Sequence, residues 1–339
     1  MHITNEQLNF NDLMFNIGSQ NQVADTQSSS TKPLIIAIVG PTCTKKSDLA
    51  IQLAKKYPFE IISADSRLVY KYMDIGTSKP STEERQLIPH HMIDIIEPGK
   101  DYSVGLYKKE AEREINDLLA KKKTPLFVGG TGLYLNSVLL GLSIPEVKAD
   151  LSFRRQLKNF TQEELYQNLK EMDPKATDII HKNDNFRTIR ALEIIYKTNK
   201  LYSRLRVTRE PPYNVIWIGL TYKDKDSHRA EIQKRTEKFC SNGFIDEVQY
   251  LIDKYGELDL FKNTIGYCEV IDFLKNRIDK NKMLEKITVS TKQLAKRQMT
   301  WFRVNKKINW IFWDNYNLEE ALSLTEELSL ANTSIVSSS

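Results

Sequence analysis

Cysteine is scarce in this 339-residue sequence: Cys43, Cys240 and Cys268 lie far apart, with no C-x-x-C or Cys/His ligand spacing. That argues against a disulfide framework or a structural zinc site, and for a reducing compartment. No apolar run approaches the roughly 18 residues that a membrane span needs, so no membrane partner is expected. The first 32 residues contain no arginine. They also lack a basic segment leading into an apolar one, which argues against a mitochondrial presequence and a secretory signal. A cytoplasmic location is the expectation. The sequence has no internal repeat, and residues 314–339 hold five acidic side chains and no base.

What is present is ordinary in amount and uneven in distribution. Hydrophobic residues at 40% and charged residues at 27% describe a globular chain, long enough for about two domains or one large core with an insertion. The net charge is +5; residues 1–32 carry −2 and residues 314–339 carry −5, which leaves +12 on residues 33–313. A basic body with acidic ends suits a polyanionic partner, although solvated lysine-rich helices give the same count.

The stretch from 34 to 47, LIIAIVG followed by PTCTKKS, predicts a buried strand over 34–39, a glycine turn and a helix over 47–57. Such a junction traps anions, because free backbone N–H groups and the helix dipole point at one spot. Lys46 and Ser47 fit the G-x-x-x-x-G-K-[ST] pattern, in which lysine meets phosphate and the hydroxyl meets Mg²⁺. Position 45 departs from it, with Lys45 in place of glycine. A buried strand followed by a basic helix N-terminus is the plainer alternative.

Further strands are predicted at 59–63, 125–128, 215–220 and 308–313, the last at an edge. Helices are predicted at 102–123, 226–255 and 269–301. This alternation indicates a parallel α/β sheet with ligands at the strand C-termini. Residues 149–200 show helical periodicity only. The expected organisation is a disordered extension at 1–32, a core formed by 33–142 and 211–330 with C-terminal helices, a helical insertion at 143–210, and a disordered tail at 331–339.

Asp65 falls just past the second strand on the same rim as the phosphate loop, placed for general-base work or as a helix N-cap. Thr131, in the GGTG run after the 125–128 strand, offers a hydroxyl there; an ordinary tight turn fits equally well. His90 and His91, adjacent on an extended segment, point to opposite faces and read as structural rather than as joint metal ligands. Arg187 and Arg190 share a helix face beside Phe186, which suits phosphate contact and base stacking or a solvated face. Arg235, and Lys292, Lys296, Arg297 and Arg303 around Trp301 and Phe302, fit nucleic-acid binding or a helix with its basic face in water.

Taken in order, GPTCTKKS, ISADSRLVY, MDIGTSKP, HHMIDIIEP, VGGTGLYL, HKNDNFRTIRALE, NGFIDEV, TIGYCEV and AKRQMTWFR resemble the tRNA dimethylallyltransferases. The likeness runs from about residue 34 to residue 313. It implies an α/β fold with a P-loop NTPase-like parallel sheet core and a helical insertion domain that binds tRNA. The implied activity is transfer of a dimethylallyl group from dimethylallyl diphosphate to N6 of the adenosine 3′ to the anticodon (position 37). Gly40, Pro41, Thr42, Cys43, Thr44, Lys45, Lys46 and Ser47 would hold the diphosphate, with Ser47 assisting Mg²⁺. Asp65 would accept the proton, and Thr131 and Arg235 would steady the leaving group. The resemblance places Asp65, Ser66, Arg67, Leu68 and Thr131 at the target base of the anticodon stem-loop. It adds Arg154, Phe186, Arg187, Thr188, Ile189 and Arg190 as tRNA contacts, together with Asn263, Thr264, Ile265, Gly266, Tyr267 and Cys268. A monomer is expected.

Two positions depart from the resemblance. At Lys45 a negative φ would simply add a cation, whereas a positive φ would strain the loop. Glu231 stands where relatives commonly carry arginine. The C-terminal Cys/His zinc finger of eukaryotic relatives is absent, so the bacterial or organellar type fits better. Two alternatives stay open: a non-catalytic tRNA-binding paralogue, and an isopentenyltransferase acting on free adenylate.

Overall fold

A computed structural model of the protein describes residues 32–336. Apolar runs flanked by turns give six strands: β1 (Leu34–Val39), β2 (Phe59–Ser63), β3 (His90–His91), β4 (Thr124–Gly129), β5 (Asn214–Thr221) and β6 (Ile308–Phe312). They form one sheet in the order β3-β2-β4-β1-β5-β6, parallel throughout, with β6 at the edge as expected. Central strands covered on both faces read as unbroken apolar runs. In β1, Ile36 and Ile38 face one layer and Ile35 and Ala37 the other.

The first layer is α1 (Lys46–Lys56), with Leu49 and Leu53 packed inward. The second layer is α3 (Val104–Ala120) and α4 (Gly132–Leu139). Between them in the chain, α2 (Thr82–Leu87) is closed by a capping box on Ser81. Ser103 caps α3 through the Leu106 N–H, so that helix starts two residues later than the periodicity predicts.

Between α4 and β5 lie α5 (Leu151–Leu157), α6 (Gln162–Met172), α7 (Pro174–Thr177), α8 (Asn185–Thr198) and α9 (Tyr202–Leu205). They enclose a small core of their own around Leu165, Leu169, Ala191 and Ile195.

The two long helices expected after β5 are each divided. The first becomes α10 (Lys225–Ser241) and α11 (Phe244–Tyr255), broken where Gly243 takes φ 87°. A short α12 (Asp259–Lys262) follows. The second becomes α13 (Tyr267–Leu274) and α14 (Lys280–Phe302), separated by Asn276 at φ 55° and restarted by the Asp279 cap. These helices form a third core around Phe244, Phe261, Tyr267 and Met283, closed by Val69 and Met73 from the segment after β2.

The expected disordered tail is corrected in part, because α15 (Leu318–Val336) carries the helix six residues beyond position 330. Ala321 and Leu322 anchor its first turns on the first layer. Once a helix is nucleated, each added residue gains a hydrogen bond at little further cost. The expectations for residues 1–31 and 337–339 lie outside the described residues. No helix among the described residues is long and apolar enough to cross a membrane.

Candidate active site at the strand ends

The phosphate loop leaves β1 at Gly40, whose φ is 145°; a Cβ there would sit 2.2 Å from the Leu220 carbonyl oxygen, so only glycine fits. The Thr44 hydroxyl is buried and donates to Pro41 O (2.9 Å), and the Trp313 indole N–H donates to Thr44 O (2.7 Å). Cys43 and Lys45 both take positive φ, 61° and 53°. Lys45 therefore sits in the conformation that glycine tolerates, at a cost of about 1 kcal/mol. Its exposed ammonium lies 5.5 Å from the Trp313 ring centroid, over its face.

Lys46 is arranged differently. Its Nζ donates to Pro41 O (2.6 Å) inside the loop. Burial lowers its pKa to about 8, Arg235 pushes the same way, and Cys43 and Asp65 oppose. Ser47 is exposed in the first turn of α1, where the helix start leaves unsatisfied N–H donors.

The turns after β2 and β4 are laced together beside this loop. Thr131 N donates to Ala64 O (3.0 Å), and Ser66 N donates to the Thr131 hydroxyl (3.1 Å). The Asp65 carboxylate accepts from Arg67 N (2.8 Å). Gly129 permits the approach, since a Cβ there would lie 2.2 Å from Ala64 O. Arg235 reaches across from α10, its Nη1 donating to the Thr42 hydroxyl and lying 3.4 Å from Cys43 Sγ. Its Nε is buried without a partner among the described residues, a donor that a bound anion would satisfy. Asp65, Thr131, Arg235 and the loop thus come together.

Two cavities flank Arg235 and its helix. One, of about 450 Å³, is lined by Lys45, Glu231, Trp313 and Tyr316; the other, of about 630 Å³, by Glu231, Lys234, Arg235, Lys238 and the 74–85 segment. Glu231 faces both, between opposite charges.

Other motif residues turn inward. The Glu247 carboxylate accepts from the N–H groups of Asp74 (2.9 Å), Ile75 (2.6 Å) and Gly76 (3.3 Å), and from the Tyr267 hydroxyl (2.6 Å). Lys79, almost fully buried, pairs with Asp74 (2.6 Å) and Asp94 (2.5 Å). The DIGTSKP segment is a wall held in place from behind. His91 likewise bonds Glu60 and Glu114, each at 2.9 Å.

The family model described as IPP transferase matches residues 68–305, and the one described as Isopentenyl transferase matches residues 33–94. The tRNA dimethylallyltransferase of Caldanaerobacter subterraneus is 40% identical over 297 residues, covering 85% of this chain and 94% of that protein. This chain belongs to the IPP transferase family. The tRNA dimethylallyltransferase of Synechococcus elongatus is 41% identical over 299 residues, covering 88% and 97%. The crystal structure of the tRNA isopentenylpyrophosphate transferase of Bacillus halodurans superposes with a TM-score of 0.68 at 32% identity, over 90% of this chain and 98% of that one. A eukaryotic dimethylallyltransferase acting on tRNA superposes at 0.73 with 25% identity, over 88% and 80%.

In this chain several positions expected to meet tRNA are occupied inside the protein. Arg154 binds the fully buried Glu193 carboxylate through two bonds of 2.9 Å, and Arg190 binds the same carboxylate and Val147 O. Burial pushes the Glu193 pKa up, but the bonds from Arg154, Asp150 N–H and Arg190 together hold it below the ordinary carboxylate value. Thr188 is buried with its hydroxyl on Asp184 O (2.8 Å), and Ile189 packs against the insertion core. Thr264, Gly266 and Tyr267 are buried as well, and the Tyr267 ring is wedged between Phe244 and Phe261. Those seven, expected at the tRNA surface, are held largely by the protein itself.

Phe186, at 74% exposure, and Arg187 remain open, as does Asn263, while Ile265 and Cys268 are half-buried. Arg67 and Leu68 are half-exposed beside Asp65, and Arg67 Nη2 donates to Asn263 O (3.3 Å). Sequence reasoning missed Gln298, His228 and Glu247. Gln298 and Glu247 sit within motifs and His228 lies outside them, and none belongs to a residue type or spacing that signals its distant partner.

Proposed function

We propose that this chain transfers the dimethylallyl group of dimethylallyl diphosphate to N6 of the adenosine next to the anticodon, position 37 of tRNA. The reading rests above all on one arrangement. A carboxylate, Asp65, sits in a turn laced to Thr131, beside a phosphate loop reached by an arginine that has no carboxylate partner among the described residues.

The diphosphate lies over the phosphate loop and the start of α1, with Lys46 and Arg235 as its cations and the Thr131 hydroxyl as a donor. In the reaction the C1–O bond of the donor breaks and its electron pair leaves on diphosphate. The N6–C1 bond forms, and the N6 proton passes to Asp65. The carbon gains cationic character while the leaving oxygen gains negative charge, so clamped cations and a placed base both lower the barrier.

No group of three or more His, Cys, Asp or Glu side chains among the described residues is placed to hold a metal ion. The exposed Ser47 hydroxyl in the first turn of α1 suits a Mg²⁺ ion taken up with the diphosphate, most of whose ligands are phosphate oxygens and water. Bound Mg²⁺ would offset diphosphate charge.

The anticodon loop extrudes its base toward Asp65, Ser66, Arg67 and Leu68, with Phe186, Arg187 and Asn263 on the open surface. The test offers the protein dimethylallyl diphosphate with either unmodified tRNA or AMP and maps the product by mass. Addition to adenosine 37 of tRNA alone is expected. Addition to AMP alone would assign the adenylate reaction instead, and tRNA binding without addition would assign the paralogue reading.

A further inference from the structure

We infer that Gln298 is a positioning residue for the diphosphate grip: a neutral amide that sets the spacing between the phosphate loop and the turn carrying Thr131. The inference deepens the function proposed above and rests on it. Gln298 projects from α14, and its Oε1 accepts from Thr42 N (2.9 Å) while its Nε2 donates to Gly130 O (3.1 Å). A backbone bond and the Thr131 hydroxyl lock the turn after β2 to the turn after β4. This side chain gives the loop after β1 the equivalent tie.

Several features build the bridge in. A Cβ at position 130 would lie 2.3 Å from Gln298 Nε2, so Gly130 leaves the room that the amide fills. Three residues further along α14, the Trp301 ring covers Gly132, where a Cβ would fall 2.8 Å from the indole. Phe302 is buried against the sheet. The helix end is therefore fixed on the β4–α4 turn at two successive points.

Thr42, at the other end of the bridge, is held at every polar group. Its N–H goes to Gln298, its hydroxyl accepts from Arg235, and its carbonyl lies 2.9 Å from His228 Nε2. The position demands one acceptor and one donor on a single uncharged group. Glutamate would supply no donor for Gly130 O and would add negative charge beside the diphosphate; lysine would supply no acceptor.

The experiment measures inorganic pyrophosphate binding by calorimetry to full-length wild type, Gln298→Ala and Gln298→Glu, with circular dichroism on each. Single-turnover transfer from saturating donor and KM for tRNA are measured alongside. The alanine variant is expected to bind pyrophosphate about tenfold more weakly. It should transfer about 10- to 100-fold more slowly, the scale of a small misplacement of reacting groups, with KM for tRNA within about twofold.

The glutamate variant is expected to be weaker still at about pH 7.5. Its deficit relative to wild type at the same pH should narrow as pH falls toward about 5, where a protonated carboxyl offers one donor and one acceptor, as the amide does. That recovery occurs within one folded variant, so it decides the matter even if alanine unfolds the protein. A folded alanine variant that binds pyrophosphate as well as wild type, or better, would make Gln298 a bystander or a plug and overturn the inference alone. So would a glutamate deficit that does not move with pH. Wild type that binds no pyrophosphate would overturn the proposed function, and this inference with it.

Discussion

Arg235 and the pair Arg154 and Arg190 are arginines of one chain in opposite circumstances. In the insertion, one buried carboxylate, Glu193, takes both guanidinium groups. At the sheet rim, Arg235 rests on a hydroxyl, a thiol and the Phe239 ring, with its buried Nε left over. A half-buried cation with one donor shut away from water is costly unless an anion arrives. The insertion has used its charge to build itself, and the rim has kept its charge for a ligand. An arginine count cannot tell the two apart; the location of the nearest carboxylate can.

Substitutions on each side of this contrast should separate function from folding. Asp65→Ala should cut transfer about 10²–10⁴-fold, the usual loss for a general base, while tRNA retention on filters stays near wild type. Arg235→Gln should lower kcat/KM for the donor about 10²–10³-fold, as removal of a preorganised charge-stabilising donor does. Thermal unfolding should hardly move, since no protein anion loses its partner. Glu193→Ala should do the reverse. It strands two partly buried arginines at about 3 kcal/mol, the low end for a broken buried pair because both guanidiniums keep some contact with water. Urea denaturation should register that loss, and the chemical step on bound tRNA should survive.

The loop lysines extend the contrast to smaller effects. Burial makes the Lys46 proton easier to lose, whereas diphosphate needs the lysine charged. Donor affinity should therefore be fullest below about pH 8 and fall as pH rises through that value, approaching tenfold per unit once the neutral form dominates. Calorimetry in buffers of different ionisation enthalpy would show proton uptake on binding there. Lys45→Gly should raise stability by about 0.5 kcal/mol, the relief of positive φ less the lost contact with Trp313. It should change donor affinity less than about threefold, because the Lys45 ammonium already lies against the indole.

The rim was legible in the sequence to the extent that its features are local. An apolar run, a glycine and a helix start set the phosphate loop, and the 59–63 and 125–128 runs brought Asp65 and Thr131 to the same edge. The sign of φ at Lys45 was not legible, because packing around Trp313 and α1 selects it. Nor was the commitment of Arg154 to Glu193, 39 residues away along the chain. Tyr267 looked like part of a surface motif until the helices around Phe244 and Phe261 enclosed it. Gln298 was invisible for the same reason: an amide on a basic helix carries no sign of the two backbone groups it will bridge.

The most direct test is a single-turnover transfer of label from dimethylallyl diphosphate to unmodified tRNA, run with wild type, Asp65→Ala and Lys45→Gly. The expected result is label on tRNA with wild type, almost none with Asp65→Ala, and little change with Lys45→Gly. Wild type that binds tRNA yet transfers nothing, with transfer appearing only in Lys45→Gly, would contradict it.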